Sequence, residues 1–282
     1  IDNGDAPPDR DAFFRAARQT EAGVMFSLSH GLGAPDRGWA DAARMYRLQG
    51  ALSFGSGDVL EGRDVASGAF APGSLWFMFA CFGAGTPATS AYHQWLSLLA
   101  EQGHSAPAEV AAVLESLPGR VGGRPFVARL PKAALANPDG PLGVIGHLDL
   151  AWSYAFQRLD GRVRARPCKF GEVVRYAARA DRLGIAFDAL YHGLVDVDHQ
   201  LNEVQAVRER GEPARLTEAD RGHPWMLRQD LMGYVFLGDP AARLPLMGTA
   251  PAAQPARPEP AGAGAVAGGV EGLDDAEHWV LQ

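Results

Sequence analysis

The feature that most constrains the fold of this chain is an unbroken apolar run of eight residues at positions 75–82. A run of this length and composition predicts a strand buried on both faces, as in the middle of a mostly parallel sheet. The run carries Cys81 directly into a Gly83-Ala-Gly85 turn. Glycines let the main chain bend sharply there and let a ligand approach its N–H groups. Because α/β proteins gather functional groups at such strand ends, Cys81 is a candidate nucleophile.

A second short apolar segment repeats this design around a histidine. Residues 23–29 predict a buried strand, which ends in His30-Gly31-Leu32-Gly33. Since the carboxyl ends of parallel strands gather at one edge of a sheet, we expect His30 and Cys81 to lie close together. A lone histidine after a strand is more often structural than catalytic, so the interpretation depends on the pair.

Apolar segments alternate with amphipathic ones along most of the chain. We expect further strands at residues 126–130, 141–147 and 234–237, and a hairpin with a glycine-rich turn at residues 50–60. Helical periodicity or composition is found at residues 9–22, 39–49, 64–67, 92–102, 106–117, 131–136, 172–184 and 185–210. Strands separated by helices predict an α/β fold, a three-layer α/β/α sandwich around a mostly parallel central sheet.

The chain of 282 residues is long enough to bury one substantial core. We assign residues 1–248 to the folded domain, residues 249–272 to a flexible linker and residues 273–282 to an acidic tail. Of the 22 residues from 249 to 270, 16 are Ala, Pro or Gly, a composition that cannot form a core. This linker and the fragment-like start at Ile1 indicate a larger regulated chain, with a further regulatory domain or an activating partner.

The net charge of −7 and the lack of any basic run argue against nucleic acid or an anionic membrane as a partner. The longest apolar run is far too short to span a bilayer. Two cysteines, Cys81 and Cys168, are fewer than a secreted disulfide scaffold of this length carries, which favours free thiols and a cytoplasmic location. No cofactor is expected, because the chain has no phosphate-loop signature and Gly31-Leu-Gly33 lacks the third glycine of a dinucleotide loop.

A thiol and an imidazole at neighbouring strand ends indicate acyl transfer. The thiolate is the nucleophile, and a neighbouring imidazole takes its proton and later protonates the leaving amine. The reaction also needs main-chain N–H groups directed at the developing oxyanion. The N–H groups of Gly31 and Cys81 are the natural pair for that role.

These residues also carry a resemblance to a known family. Residues 26–31 read Phe-Ser-Leu-Ser-His-Gly, a hairpin with a Gly-Asp turn follows, and residues 75–83 end in Ala-Cys-Phe-Gly. This order resembles the caspase-like cysteine peptidases, which include caspases, gingipains and bacterial CHAT-type peptidase domains. The later Gly238-Asp239-Pro240 is similar to the strand ending common in gingipain-like and CHAT-like proteins.

The resemblance covers residues 23–245 and implies a caspase-like fold with a Cys–His dyad. It implies that His30 is the base, that Cys81 is the nucleophile, and that Gly31 and Cys81 form the oxyanion hole. The implied substrate is a protein or peptide.

Substrate specificity is less constrained by the sequence. Many relatives that cleave after Arg or Lys place an aspartate two residues before the cysteine, whereas this chain has Phe79. In caspases the strand after the nucleophile's helices lines the S1 side, and its counterpart is residues 144–152. Asp149 would then offer a carboxylate to a basic P1 side chain, with Trp152 as a wall. The alternative is that Asp149 caps a helix that begins near Ala151.

Other candidate residues have simpler explanations. His147 ends a strand and is the rival to His30 as the base, but no glycine follows it. Cys168 is expected in a loop, as a surface thiol. Four polar residues have the helical spacing of a metal site: His192, Asp196, His199 and Glu203. They fall opposite an apolar stripe within residues 190–204, which makes them a solvent-facing surface, and we expect no bound metal.

The sequence therefore predicts a cysteine endopeptidase that works through a thioester acyl-enzyme on the Cys81–His30 dyad. One alternative is a catalytically silent caspase-like module with a regulatory or scaffolding role. Another is an amidase or acyltransferase that uses the same dyad on a small molecule, which requires a closed pocket.

Overall fold

We analysed a computed structural model of the chain. The structure describes residues 9–34, 39–54, 57–101, 111, 113–114, 117–118, 124–152, 168–179, 181–210 and 218–246. Residues Ile1–Thr249 make up one compact unit. The predicted linker and acidic tail, most of the helix predicted at residues 106–117, and two residues of the hairpin turn lie outside the described residues.

A four-stranded sheet forms the centre of this unit. Its strands are β1 (Val24–Leu28), β5 (Leu75–Phe79), β8 (Gly143–His147) and β9 (Tyr234–Gly238), in the order β1-β5-β8-β9. β5 runs parallel to both β1 and β8, whereas β9 pairs antiparallel to β8. Every residue of β5 and β8 is buried, which agrees with their continuous apolar sequences.

Two smaller pairings flank this sheet. Strands β2 (His30–Gly31), β3 (Leu52–Ser53) and β4 (Val59–Leu60) form an antiparallel three-stranded sheet, and β6 (Gly85–Thr86) pairs with β7 (Phe126–Val127). β2 follows β1 after one residue, so the histidine turn is also the first strand of the small sheet.

Helices cover both faces of the central sheet. The helices are α1 (Arg10–Gln19), α2 (Ala42–Leu48), α3 (Gly62–Val65), α4 (His93–Glu101), α5 (Arg129–Ala136), α6 (Cys168–Ala178), α7 (Leu183–Glu209) and α8 (Glu218–Met232). Alternate residues of β5 point to opposite faces. Leu75, Phe77 and Phe79 pack against α6, α7 and α8, while Trp76 and Met78 pack against α1, α3 and α5.

Local sequence signals explain several helix boundaries. The Asp9 carboxylate accepts a hydrogen bond from Ala12 N–H at the start of α1, and the Asp41 carboxylate accepts one from Arg44 N–H at the start of α2. At α3, Glu61 and Asp64 form a reciprocal capping box. These caps satisfy N–H groups that have no partner inside the helix.

The predicted α/β class with a mostly parallel sheet is confirmed. All four central strands lie at or within one residue of predicted segments, and the stripe on α7 packs into the core through Leu190, Leu194, Val197 and Leu201. The break between the two long helices lies around residues 179–182 rather than at 184–185, because Arg182 pairs with Arg243 beside the sheet. Helix α8 was not predicted. None of the described helices is both long enough and apolar enough to cross a membrane.

Candidate active site

A cleft of about 820 Å³ lies at the carboxyl end of β1 and β5 and extends along β1. It is lined by one side of α1, by residues 25–30, by residues 52–54 and by Phe79, Cys81, Ala151 and Trp152. His30 and Cys81 therefore open onto the same cleft, as predicted from their positions after neighbouring strands. The His30 side chain is exposed, and Cys81 is partly buried and free.

The pairing of β1 with β5 brings the histidine turn to the cysteine turn. The two strands run in parallel register with Leu28 opposite Phe79, and Ser29 N–H donates to Phe79 C=O at 3.1 Å. The Ser29 hydroxyl donates to Ser53 C=O at 2.7 Å, which ties the turn to β3. The chain after β1 is thus held on two sides before it presents His30.

Gly31 packs directly on the main chain of Cys81. A Cβ atom built on Gly31 would lie 1.8 Å from Cys81 O and 2.9 Å from Cys81 N. Any side chain at position 31 would therefore collide with the backbone that carries the thiol. This contact explains why a glycine follows His30.

The two N–H groups proposed for an oxyanion hole are adjacent. Leu32 bonds with the β3 side through its N–H and its C=O, and main-chain groups alternate in direction along an antiparallel strand, so the N–H of Gly31 points away from β3. Among the described residues, Cys81 N–H makes no hydrogen bond to another main-chain group. Both donors are therefore left out of the sheet ladders, beside the thiol.

The Cys81 thiol is neutral in this arrangement. Its Sγ donates a weak hydrogen bond to Ala151 C=O at 3.7 Å. Burial raises the pKa of the thiol, and the nearby carboxyl groups of Asp230 and Asp149 raise it further, against main-chain hydrogen bonding with Ala151 that lowers it. The thiol thus needs a base at the moment of attack, and His30 is the exposed imidazole on the same cleft.

The turn after the thiol contains a strained residue. Phe82 has a φ of +55°, in the left-handed region that costs a non-glycine residue roughly 1–3 kcal/mol. Its N–H donates to Asp149 C=O at 2.8 Å, and Ala84 N–H donates to His147 C=O at 3.0 Å. Its ring is buried in a cluster with Tyr92. Hydrogen bonds to the end of β8 and a buried ring therefore hold this turn in place.

His147 is fully buried, and hydrogen bonds engage both of its ring nitrogens. Nδ1 accepts from Asp149 N–H at 3.0 Å, so Nε2 carries the proton and donates to Asp230 C=O at 2.9 Å. Burial lowers the pKa of His147 to about 4. The ring is therefore neutral and shielded from the cleft, which gives it a structural role.

Asp149 is also turned inward. Its carboxylate accepts hydrogen bonds from the Ser90 hydroxyl at 2.9 Å, Ala91 N–H at 3.0 Å and Leu150 N–H at 2.8 Å. Burial raises its pKa, against these hydrogen bonds. Asp149 does not line the cleft, and it fixes the segment that precedes α4. Residues 153–167, where the alternative helix after Ala151 was expected, lie outside the described residues.

Trp152 lies at the cleft, as the sequence suggested. Its backbone N–H donates to Asp230 Oδ1 at 2.8 Å, and its ring packs against Tyr92 with centroids 5.7 Å apart. Ala151, immediately before it, supplies the carbonyl that accepts from Cys81. Asp230 therefore holds the short segment that contacts the nucleophile.

Asp230 was missed by the sequence analysis. The carboxyl is almost fully buried, and burial raises its pKa to about 7. Four buried polar atoms have no hydrogen-bond partner among the described residues around it: Asp230 Oδ2, Tyr92 OH, Tyr234 OH and Trp152 Nε1. No local pattern marks Asp230, because it is one polar residue on a helix that packs 78 positions away from Trp152.

The other polar candidates lie apart from this cleft. His192 and Asp188 pair at 3.6 Å and His199 and Glu203 at 3.8 Å, all largely exposed on α7. In the part of the chain that the structure describes, no three metal-binding side chains converge. Cys168 is the first residue of α6 rather than part of a loop.

Comparison of this chain with protein-family models, with curated proteins and with solved structures returned no match. The functional argument therefore depends on the geometry of the cleft.

Replacing Asp230 with asparagine is expected to change how stability depends on pH. Because the folded pKa of about 7 lies above the ordinary carboxyl value of 3.8, wild type loses stability relative to Asp230→Asn as pH rises from about 4 to 7. The expected slope is about 1.4 kcal/mol per pH unit, and the difference levels off above pH 7. Urea unfolding of both proteins at pH 4, 5.5, 7 and 8 measures it.

The comparison with wild type at each pH cancels the contribution of His147. Its lowered pKa acts with the opposite sign, so it removes stability as pH falls from about 6.5 to 4. Asp188→Asn, which alters an exposed carboxylate on α7, is the matched control and should stay within about 0.5 kcal/mol of wild type. A difference for Asp230→Asn that does not vary with pH would contradict a buried, neutral carboxyl.

Proposed function

We propose that this chain is a caspase-like cysteine endopeptidase with Cys81 as nucleophile and His30 as base. The observation that carries the proposal is the direct packing of Gly31 on the main chain of Cys81, with His30 and Cys81 on one cleft. Support also comes from the order of elements: a strand ending in His-Gly, a hairpin, a strand ending in Ala-Cys, and a last strand ending in Gly238-Asp239-Pro240.

The proposed reaction has two acyl-transfer steps. His30 takes the proton of the Cys81 thiol as the sulfur attacks the peptide carbonyl carbon. The N–H groups of Gly31 and Cys81 donate to the oxyanion of the tetrahedral intermediate. The C–N bond then breaks, His30 gives the proton to the leaving amine, and a thioester remains on Cys81. A water molecule, deprotonated by His30, hydrolyses the thioester and restores the thiol.

The proposal for substrate contacts keeps Trp152 and sets Asp149 aside. Trp152 lines the cleft beside Cys81 and would form a wall for the P1 side chain. The Asp149 carboxylate already accepts three hydrogen bonds inside the protein. Phe79 also replaces the aspartate that Arg- and Lys-specific relatives carry. A basic P1 preference is therefore not part of the proposal.

A catalytically silent module is the second candidate, and one observation favours it. The thiol has a raised pKa and donates to Ala151 C=O, instead of being held as a thiolate. A small-molecule amidase is less well supported, because the cleft follows the whole of β1 and one side of α1 instead of closing around the thiol.

A fluorogenic positional-scanning peptide library and an electrophilic peptidyl ketone probe test the proposal. We expect wild type to cleave a subset of the library and to form an adduct on Cys81, located by tandem mass spectrometry. The absence of both turnover and adduct at pH 7–9 would exclude the endopeptidase and favour the silent module.

A further inference from the structure

The outer edge of β1 is an unpaired strand edge. Ladder bonds run from Leu75 N–H to Gly23 C=O and from Ser29 N–H to Phe79 C=O, so the odd-numbered residues of β1 face β5. Main-chain groups alternate along a strand, and the N–H and C=O groups of Val24, Phe26 and Leu28 therefore point outward. In the described part of the chain, β1 is the edge of its sheet and no strand pairs with that side.

This edge lacks the features that normally protect an edge strand. Natural edges carry charged residues, proline or a bulge that prevent pairing with another chain. β1 reads Val-Met-Phe-Ser-Leu, with no charge and no proline. Phe26 is 42% exposed and Leu28 is 65% exposed. The edge is thus an apolar template for one more strand.

The edge also continues into the candidate active site. The cleft is lined by residues 25–30 along its length, by Phe13 and Ala16 of α1 on one side, and by Cys81 and Trp152 at its end. β1 has five residues, which span roughly 17 Å, the length of an extended peptide of about five residues.

We propose that the substrate polypeptide binds in extended form, as an added strand on the outer edge of β1, and so delivers a peptide bond to Cys81. This inference deepens the proposed endopeptidase function and rests on it. Main-chain hydrogen bonds to Val24, Phe26 and Leu28 give affinity without sequence preference, as in other strand-addition complexes. Side chains above the edge contact Phe26 and Leu28, which selects apolar residues at alternate positions.

An extended substrate explains the cleft better than a second copy of the chain does. A second copy could satisfy the same edge groups, but the cleft runs past the edge to His30 and Cys81, where a scissile bond is required. The substrate class that follows is an unfolded or flexible polypeptide segment of apolar character.

Proline at position 26 tests the edge. Phe26→Pro removes one outward N–H and leaves the odd-numbered residues free to pair with β5, and proline is tolerated on strand edges. Phe26→Thr is the matched control, since it removes the ring and keeps the N–H. Both are made in the Cys81→Ala background, and binding of fluorescein-labelled β-casein, an unfolded polypeptide, is followed by anisotropy.

We expect Phe26→Pro to weaken casein binding at least about tenfold and Phe26→Thr to weaken it much less. Equal binding by all three proteins would overturn the inference. So would a loss of dimer in Phe26→Pro by light scattering with casein binding unchanged, because the edge would then pair two copies.

Hydrogen exchange on Cys81→Ala provides a second measurement that needs no edge mutation. The amides of Val24, Phe26 and Leu28 should gain protection when casein binds, while those of Met25 and Ser27, already bonded to β5, should not change. Unchanged exchange at the three outward amides would overturn the inference. Because these measurements need no turnover, edge-dependent binding without casein cleavage by wild type would defeat the proposed function alone.

Discussion

Cys81→Ala is expected to lower the rate of peptide hydrolysis by at least about 10⁴-fold and to abolish labelling by the peptidyl ketone probe. The reason is that no other described thiol lies on the cleft, and the loss of a nucleophile removes the covalent step entirely. The fold should survive, because the side chain is small and only partly buried. Turnover of a fluorogenic peptide and intact-mass spectrometry measure the two effects.

Cys168→Ala is the matched thiol control and should retain both turnover and labelling. His30→Ala should lose activity to a similar extent. His192→Ala, which changes an exposed histidine on α7, should remain active. His147→Ala should lower stability, because both ring nitrogens of His147 hold buried main-chain groups. Probe labelling that persists in Cys81→Ala would exclude Cys81 as the nucleophile.

Gly31→Ala is expected to have the second largest effect. Its Cβ would lie 1.8 Å from Cys81 O, so the histidine turn and the cysteine turn must separate. Overpacking of this kind costs about 1–3 kcal/mol of stability. The separation also moves His30 and both proposed oxyanion donors, and loss of one such donor alone costs about 100-fold or more in rate. Urea unfolding and kcat/KM at a temperature where the variant is folded measure the two effects.

Gly171→Ala is the matched control, because nothing lies within 4 Å of a Cβ built there and the residue is inside α6. It should raise stability by about 0.5–1 kcal/mol, since alanine favours helix over glycine. A Gly31→Ala protein as stable and as active as wild type would show that the two turns do not touch.

The central strands and the two facing turns could be predicted from the sequence because their signals are local. A buried strand is a continuous apolar run, and a turn that must approach another backbone contains glycine. His30 and Cys81 were therefore found together. Asp149 and Trp152 were found as well, although only Trp152 lies on the cleft.

The support behind the thiol could not be predicted, because it depends on contacts between distant segments. Asp230 bonds to Trp152 and accepts from His147, 78 and 83 positions away. Helix α8, which carries it, contains Pro224 and a mostly polar sequence, so it shows no clear apolar period. The inward direction of the Asp149 carboxylate likewise follows from Ser90 and Ala91, which no spacing rule connects to it.

Asp230 makes the far end of the chain a mechanical anchor for the nucleophile. Trp152 N–H, the neighbouring Ala151 C=O and the Cys81 thiol form a short series of contacts that starts on α8. A binding event that shifts α8 would thus reposition the acceptor of the thiol proton without entering the cleft. Since α8 is also tied to α7 by Arg228 and Asp198 at 2.5 Å, the exposed helical layer is a remote handle on reactivity.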